Sequence, residues 1–203
     1  MQGIGLTTSG NAILLQYTSP VYVALLSGWL LGEEIRWFDW AAIAAVLCGM
    51  MLFFLDQLSV GGLTGNILAV ISGLSYASLT LALRGQKDAS PAGSVILGNL
   101  LTVMLCLPWM AEFSPTSMDW IGLVILGVFQ LGLSYAIFAV AIRHVTAMEG
   151  ILIPVLEPLL NPLWVLLFVG ERIGPWALLG GAVVIPSLIF RGVMQYRRAA
   201  SPI

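Results

Sequence analysis

The segment TAMEGILIPVLEPLLNPLWVLLFVGERI, from Thr146 to Ile173, determines how the rest of the chain is interpreted. Its apolar middle is about 20 residues long, enough for a helix to cross a hydrocarbon core of roughly 30 Å. Prolines recur inside it at four-residue spacing, at Pro154, Pro158 and Pro162. Because each proline removes a helical N–H and its ring clashes with the preceding turn, the segment predicts a helix that is bent or broken within the membrane.

Two polar side chains interrupt the same apolar run, Glu157 and Asn161. A carboxylate at membrane depth is costly unless it faces a wet cavity or a partner, and Asn161 lies one helical turn further on the same face. Two interpretations of Glu157 are open. It carries a proton or pairs with a cationic substrate, or it is protonated or hydrogen-bonded and only stabilises the broken helix. The pair is the leading candidate for a substrate or proton site.

A second copy of this segment lies near the start of the chain. The stretch TSGNAILLQYTSPVYVALLSGWLLGEEI, from Thr8 to Ile35, aligns with it without a gap at an offset of 138 residues. A shared proline followed by Gly-Glu at the same distance is difficult to obtain by chance, so the alignment predicts an internal repeat. The matched residues are Pro20 with Pro158, Gly32 with Gly170, and Glu33 with Glu171.

The composition predicts an integral membrane protein. The chain is 59% hydrophobic and 9% charged, whereas a soluble domain has about 25% charged residues. A net charge of −2 gives no indication of a nucleic-acid partner. Cys48 and Cys106 lie in apolar segments without metal-binding spacing, so we interpret them as free thiols. The chain has no nucleophile–base pair, zinc motif or phosphate loop, and we expect neither enzymatic activity nor a cofactor or metal.

The chain is predicted to be an all-α integral membrane protein with about seven transmembrane helices. The apolar segments run at about residues 12–31, 39–56, 64–83, 92–110, 120–142, 147–169 and 174–191. If the helices alternate in direction, seven of the eight basic residues fall on one face, and Arg172 falls alone on the other. The seven are Arg36, Arg84, Lys87, Arg143, Arg191, Arg197 and Arg198. This bias predicts a multi-pass protein of the cell (inner or plasma) membrane with a cytoplasmic C-terminus.

The two copies of the motif then cross the membrane in opposite directions. Gly32-Glu33 falls at the cytoplasmic end of its helix and Gly170-Glu171 at the outer end, which predicts an inverted repeat. The predicted division is the last two helices of a first unit in residues 1–57, a complete five-helix second unit in residues 64–192, and a cytoplasmic tail in residues 193–203. A complete first unit would have about three more helices before Met1.

This arrangement resembles the EamA-type branch of the drug/metabolite transporter superfamily, which is built from two inverted five-helix repeats. In the fourth helix of each repeat of that family, a proline leads to Gly-Glu, a basic residue, and Leu or Ile. Here Pro158 leads to Gly170-Glu171-Arg172-Ile173, while Pro20 leads to a first copy with Glu34 in place of the usual basic residue. The resemblance covers the chain as helices four to ten. It implies secondary transport, often export, of amino acids, other small metabolites or drugs.

Five further polar side chains at membrane depth are candidates for the substrate or proton site, although each would equally suit a hydrogen bond between helices. They are Gln16, Tyr76, Asn99, Gln130 and Tyr135. Glu33 and Glu171 lie at helix C-termini, where a negative charge is unfavourable. We therefore expect structural partners for them, either Arg172 or the start of the next helix.

Small residues at four-residue spacing predict faces where helices approach closely. The three predicted stripes are Ala24, Gly28 and Gly32; Ala41, Ala45 and Gly49; and Ala69, Gly73 and Ala77.

Two functional hypotheses follow. In the first, the chain belongs to a proton- or gradient-coupled exporter, with the lipid bilayer, a small-molecule substrate and H+ as its partners. In the second, it is a truncated membrane fragment or partner subunit that transports nothing. The sequence predicts no oligomeric state.

Overall fold

The computed structural model of the chain describes residues 6–59, 61–110, 115–170 and 172–199. Within these ranges the chain is helical and contains no strand. The helices are α1 (Ser9–Gln16), α2 (Ser19–Leu31), α3 (Trp37–Phe53), α4 (Leu63–Gly85), α5 (Pro91–Cys106), α6 (Ser117–Ile125), α7 (Ser134–Ala141), α8 (Ala147–Leu152), α9 (Leu156–Val169) and α10 (Pro175–Ala199).

Seven apolar helical stretches result, which confirms the predicted fold class, because α1–α2, α6–α7 and α8–α9 each form one interrupted stretch. Five stretches of the described chain are long and apolar enough to cross a membrane, and α3 and α5 are shorter. The α6–α7 interruption is a π-helical segment, Leu126–Leu133, which the sequence did not predict.

Both copies of the motif are broken in mid-span, as their prolines predicted. Tyr17 and Thr18 separate α1 from α2, and a 3₁₀ turn at Ile153–Val155 separates α8 from α9. With the offset of 138 residues the two interruptions overlap at Tyr17 and its counterpart Val155. Pro162 lies within the continuous helix α9, so the chain breaks at Pro154 and not at each proline.

The glycine of the Gly-Glu motif has a backbone role in both copies. Gly32 ends α2 with a φ of 67°, and Gly170 ends α9 with a φ of 79°. A residue with a side chain adopts this left-handed conformation at an energetic cost of roughly 1–2 kcal/mol, which glycine avoids. The motif therefore marks where each helix stops.

The chain forms two compact units. One, the motif unit, comprises Met1–Leu81 and Ala147–Ile203, and the other, the middle unit, comprises Ala82–Thr146. These units follow spatial packing, whereas the predicted division into residues 1–57, 64–192 and 193–203 follows repeat symmetry and stays a prediction.

Within the motif unit, α3 and α10 approach backbone to backbone. A Cβ added to Gly180 would collide with the carbonyl oxygen of Gly49 and lie 2.8 Å from the Cβ of Phe53. A Cβ added to Gly49 would collide with a methyl group of Val184. Since lipid gives helices no hydrophobic reason to associate, close contact at small residues is the main source of attraction between them.

The predicted small-residue stripes have mixed outcomes. Ala69, Gly73 and Ala77 are buried, and a Cβ on Gly73 would lie 2.8 Å from the carbonyl oxygen of Gln16, so this stripe is confirmed as a packing face. The other two stripes are wrong, because Gly28 and Ala41 are exposed.

Helix α3 shows why spacing alone failed. It buries a face rotated by about one residue from the predicted stripe, because every face of this helix is apolar and spacing does not fix which face points inward. The buried apolar residues of α3 are Phe38, Ala42, Ile43, Val46, Gly49 and Met50.

A buried ion pair joins α3 to α10. The Nε of Arg191 donates to Oδ1 of Asp39 at 2.7 Å, and these side chains are 6% and 4% exposed. Glu149 of α8 places a carboxylate oxygen 3.9 Å from the same guanidinium. Arg191 therefore connects three helices, and burial makes either charge costly without the other.

The predicted basic face is consistent within each unit. In the motif unit, Arg198 pairs with Glu34 at 3.3 Å, and Arg36 pairs with the same carboxylate. In the middle unit, Arg143 donates to the carbonyl oxygens of Lys87 and Ala89, each at 2.8 Å. The side of the membrane on which these groups lie stays a prediction.

We predict that Gly180→Leu prevents close packing of α3 on α10 and lowers the free energy of unfolding by about 1–3 kcal/mol or more. The loss is large because the new side chain would collide with the backbone of α3. Gly181→Leu is the matched control, since a Cβ there meets nothing within 4 Å. Thermal unfolding in detergent should show a lower Tm for Gly180→Leu alone. Equal Tm values for the two variants would contradict the α3–α10 contact.

We also predict that Arg191→Ala lowers the free energy of unfolding by about 3–5 kcal/mol, because it leaves Asp39 buried without its partner. The double variant Asp39→Asn/Arg191→Gln should recover much of this loss. Arg197→Ala, at an exposed position of the same helix, is the control and should change little. Denaturant unfolding in detergent measures all three, and similar losses for Arg191→Ala and Arg197→Ala would contradict the prediction.

Candidate functional site

A cavity of about 820 Å³ lies between α1 and α9 in the motif unit. It is lined by residues from both copies of the motif: Ile13, Gln16, Tyr17, Glu157, Pro158, Leu160, Asn161 and Trp164. Three of the predicted site residues, Gln16, Glu157 and Asn161, thus come together in one place. Gln16 is 141 positions from Glu157 and 145 positions from Asn161 in the chain, since 157 − 16 = 141 and 161 − 16 = 145.

The cavity exists because the two motif copies contact along only half of their length. Helix α2 packs against α8, and the apolar residues there are among the most buried of the described chain, including Val23, Ile151 and Val155 at 0% exposure. The other halves, α1 and α9, leave space between them. Residues beside both helix breaks, Tyr17 and Glu157, line this space.

The lining combines polar and aromatic side chains. Glu157 and Asn161 are one helical turn apart on α9, and both side chains are exposed to the cavity. Exposure to water removes the desolvation cost that a membrane-buried carboxylate would have. Pro162 has no N–H, so the carbonyl of Pro158 lacks the donor that a helix normally supplies four residues ahead.

Among the residues that the structure describes, those lining this cavity include no lysine, arginine or histidine. Glu157 therefore supplies a negative charge, while Gln16 and Asn161 supply amide donors and acceptors. Such a cavity suits a small molecule that has a cationic group and several hydrogen-bonding groups.

Sequence reasoning missed Tyr17. Tyr17 is half-buried in the break between α1 and α2 and lines the cavity together with Glu157. Tyr76, a predicted site residue, is half-buried against the core of the motif unit and is not among the described residues that line the cavity. The available signal was position, because Tyr17 lies directly in the break that precedes Pro20.

Trp164 was also missed as a lining residue. Its indole ring stacks on Phe168 with ring centroids 6.2 Å apart. A tryptophan in an apolar helix resembles lipid-facing packing in the sequence, so nothing there distinguished it.

The remaining predicted site residues lie in the middle unit. Asn99 is exposed on α5, Gln130 is exposed in the π-helical segment, and Tyr135 is half-buried in α7. π-helical turns are rare and occur frequently at functional sites, which favours Gln130 among the three. Their participation in a site stays a prediction.

The two copies of the motif differ at equivalent positions. The counterpart of Glu157 is Ser19, which is 1% exposed, and the counterpart of Asn161 is Val23, which is 0% exposed. The second half of the first copy therefore lies in the core, whereas the second half of the second copy lines the cavity.

Glu33 has a structural partner, as expected. Its Oε2 accepts a hydrogen bond at 2.8 Å from the backbone N–H of Ala147, the first residue of α8. A carboxylate at a helix N-terminus is favourable, and the helix concerned is that of the other copy, not the next one. The end of the first copy thus meets the start of the second, as an inverted repeat requires. Glu171 lies outside the described residues.

We predict that Glu33→Ala lowers the stability of the protein by about 1 kcal/mol, because it removes the charged cap of α8. Glu34→Ala is the adjacent control, since the Glu34 side chain is 72% exposed and surface ion pairs contribute little. Thermal unfolding in detergent measures the difference. A larger effect at Glu34 than at Glu33 would contradict the assignment.

Comparison with known proteins gives consistent results. A model of the EamA-like transporter family matches residues 1–55 and 63–191. An uncharacterized transporter of Archaeoglobus fulgidus is 28% identical over 185 residues, which cover 90% of this chain and 67% of that protein. The threonine/homoserine exporter RhtA of Escherichia coli K12 is 28% identical over 193 residues, which cover 88% of this chain and 61% of the exporter.

A solved crystal structure has the same fold, with a TM-score of 0.79 at 17% identity over 93% of this chain and 68% of that chain. The chain therefore spans 61% to 68% of the length of these three proteins.

Proposed function

The chain belongs to the EamA-like transporter family, as its Gly-Glu motif predicted, and from this premise we propose that the cavity between α1 and α9 is the substrate site of a secondary transporter. The substrates are small metabolites, of which amino acids are the first choice. The similarity to a protein named a threonine/homoserine exporter supports this class. The direction of transport is export across the cell membrane.

The observation that carries the proposal is the meeting of Glu157, Asn161 and Gln16 in one cavity. Polar groups at membrane depth are costly, and in transporters they mark the path of substrates and ions. Breaks in the two helices of an inverted repeat typically lie at such a site, where they leave backbone groups free for the substrate.

The predicted orientation assigns a side of the membrane to the cavity. With the basic end of the motif unit in the cytoplasm, the packed α2–α8 pair closes the cytoplasmic half, and the cavity opens to the outside. The C-terminus is then cytoplasmic. An exporter in this state has its site accessible for release of the substrate.

Glu157 is the proposed coupling residue. A carboxylate that binds either a proton or the ammonium group of a substrate, but not both, exchanges one for the other. Such an exchange would let inward proton movement drive outward movement of the substrate.

We predict that Glu157→Gln reduces counterflow of radiolabelled threonine in proteoliposomes at least tenfold and removes its dependence on pH, because the amide neither ionises nor pairs with an ammonium group. Glu34→Gln, which removes an exposed carboxylate outside the cavity, is the control and should transport normally. Gel filtration of each variant in detergent establishes that it is folded.

Wild-type flux and pH profile in Glu157→Gln would exclude this residue as the coupling group. A wild-type chain that folds but moves none of a panel of amino acids, amines and dyes would favour the other hypothesis, a membrane module that pairs with a partner and transports nothing.

A further inference from the structure

Two further cavities of the motif unit adjoin each other at the end of α9. One, the apolar groove, has a volume of about 300 Å³ and lies against α9 and α10. The other, the charged cavity, has a volume of about 250 Å³ and lies where α3 ends and α10 begins. They form one continuous space, because both are lined by Phe53, Pro162, Ile173 and Ala177. Among the described residues, Asn161 alone lines both this space and the 820 Å³ cavity.

The apolar groove faces the lipid. Every described residue that lines it is apolar, and Leu163 and Leu178 in its wall are 44% and 57% exposed. Pro162 and Pro186 also line it, and a proline ring inside a helix clashes with the preceding turn. Helices that each contain such a ring pack poorly side by side, which leaves room between α9 and α10.

The groove has the length of an acyl chain within one leaflet. On α10 it runs from Ala177 to Pro186, nine residues apart since 186 − 177 = 9. At a rise of about 1.5 Å per residue this is roughly 14 Å, and half of a hydrocarbon core of roughly 30 Å is about 15 Å. A lipid tail in the groove would therefore end near the middle of the membrane.

The charged cavity lies at the surface end of the groove, which it meets at Ile173 and Ala177. Asp56, in a 3₁₀ turn after α3, and Arg172, shortly before α10, both line it, and Gln57 adds an amide. The two charged side chains are exposed, and neither has an ion pair or a side-chain hydrogen bond with another described residue. The cavity therefore offers one positive and one negative group to the same ligand.

We propose that the apolar groove and the charged cavity together bind one phospholipid that has a primary ammonium group in its headgroup, as phosphatidylethanolamine has. The guanidinium of Arg172 donates two hydrogen bonds to the phosphate. The carboxylate of Asp56 accepts hydrogen bonds from the ammonium group, and one acyl chain lies in the groove. This inference does not rest on the proposed transport function.

The contacts predict a preference among headgroups. Phosphatidylcholine has the same two charges, but its quaternary ammonium has no N–H to donate to Asp56. Phosphatidylglycerol has the phosphate and no cation, so it leaves Asp56 without a partner. A free amino acid has both charges and no acyl chain, so it gains nothing from the groove.

Native mass spectrometry of the purified chain in detergent tests the proposal. The chain is titrated with phosphatidylethanolamine, phosphatidylcholine and phosphatidylglycerol that have identical acyl chains. We expect the first to bind at least fivefold more tightly than either of the others. Asp56→Asn and Arg172→Gln should each remove this preference. Arg197→Gln, at an exposed position of α10 that lines neither cavity, is the control and should retain it.

A second pair of variants tests the groove. Ala182→Phe places a ring in the groove and should weaken the binding of all three lipids at least fivefold. Leu179→Phe is the matched control on the same helix, since Leu179 is 52% exposed and is not among the described residues that line the groove. An equimolar amount of threonine should not displace the lipid.

Gel filtration establishes that each variant is folded. Equal binding of the three lipids by the wild-type chain, or a preference that survives both Asp56→Asn and Arg172→Gln, would overturn the proposal. Unchanged binding in Ala182→Phe would also overturn it, because the tail would then lie elsewhere. Displacement of the lipid by equimolar threonine would assign the two charges to a free amino acid instead. The assay requires no flux, so its failure leaves the proposed function intact.

Discussion

Two helix breaks at membrane depth impose the constraint on which the rest of the structure depends. A hydrocarbon core offers no partner for a freed backbone group, so each break must face water or protein. At the first break the hydroxyl of Thr18 donates to the carbonyl of Leu15 at 2.6 Å, so this backbone acceptor has a partner within the chain. The remainder is met because both breaks adjoin one cavity, where Tyr17 and Glu157 are accessible. The cavity and the breaks are thus consequences of the same prolines.

The second consequence is asymmetry between two similar sequences. Helices α2 and α9 are equivalent by repeat, and both end at a left-handed glycine. Yet one is packed against α8 and the other borders a cavity. Closing the cavity in the same way would leave Glu157 buried without water.

The sequence predicted the features that depend on local chemistry. The prolines of the two copies, Pro20 and the series that begins at Pro154, indicated the broken helices. The Gly-Glu pairs indicated where these helices end, and the 138-residue offset linked the copies. Glu157 and Asn161 were recognisable because a polar pair is conspicuous in an apolar helix. The sequence did not correctly predict which face of a helix is buried, as the exposed residues Ala41 and Gly28 show. In a helix that is apolar on every side, the spacing of residues does not indicate which side faces inward.

Long-range features were beyond reach for a different reason. Nothing local indicates that Arg191 pairs with Asp39, 152 residues away, or that the Glu33 carboxylate caps α8. Both require knowing which helices are neighbours. The π-helical segment Leu126–Leu133 has an ordinary apolar sequence, so no residue in it predicts a π-helix.

The central claim is that the cavity between α1 and α9, with Glu157 in its wall, is the substrate site. Equilibrium binding of radiolabelled threonine to the purified protein in detergent tests it most directly, with Glu157→Gln compared with Glu34→Gln. The account predicts that Glu157→Gln loses binding and that Glu34→Gln retains it. Equal binding by the two variants would contradict it.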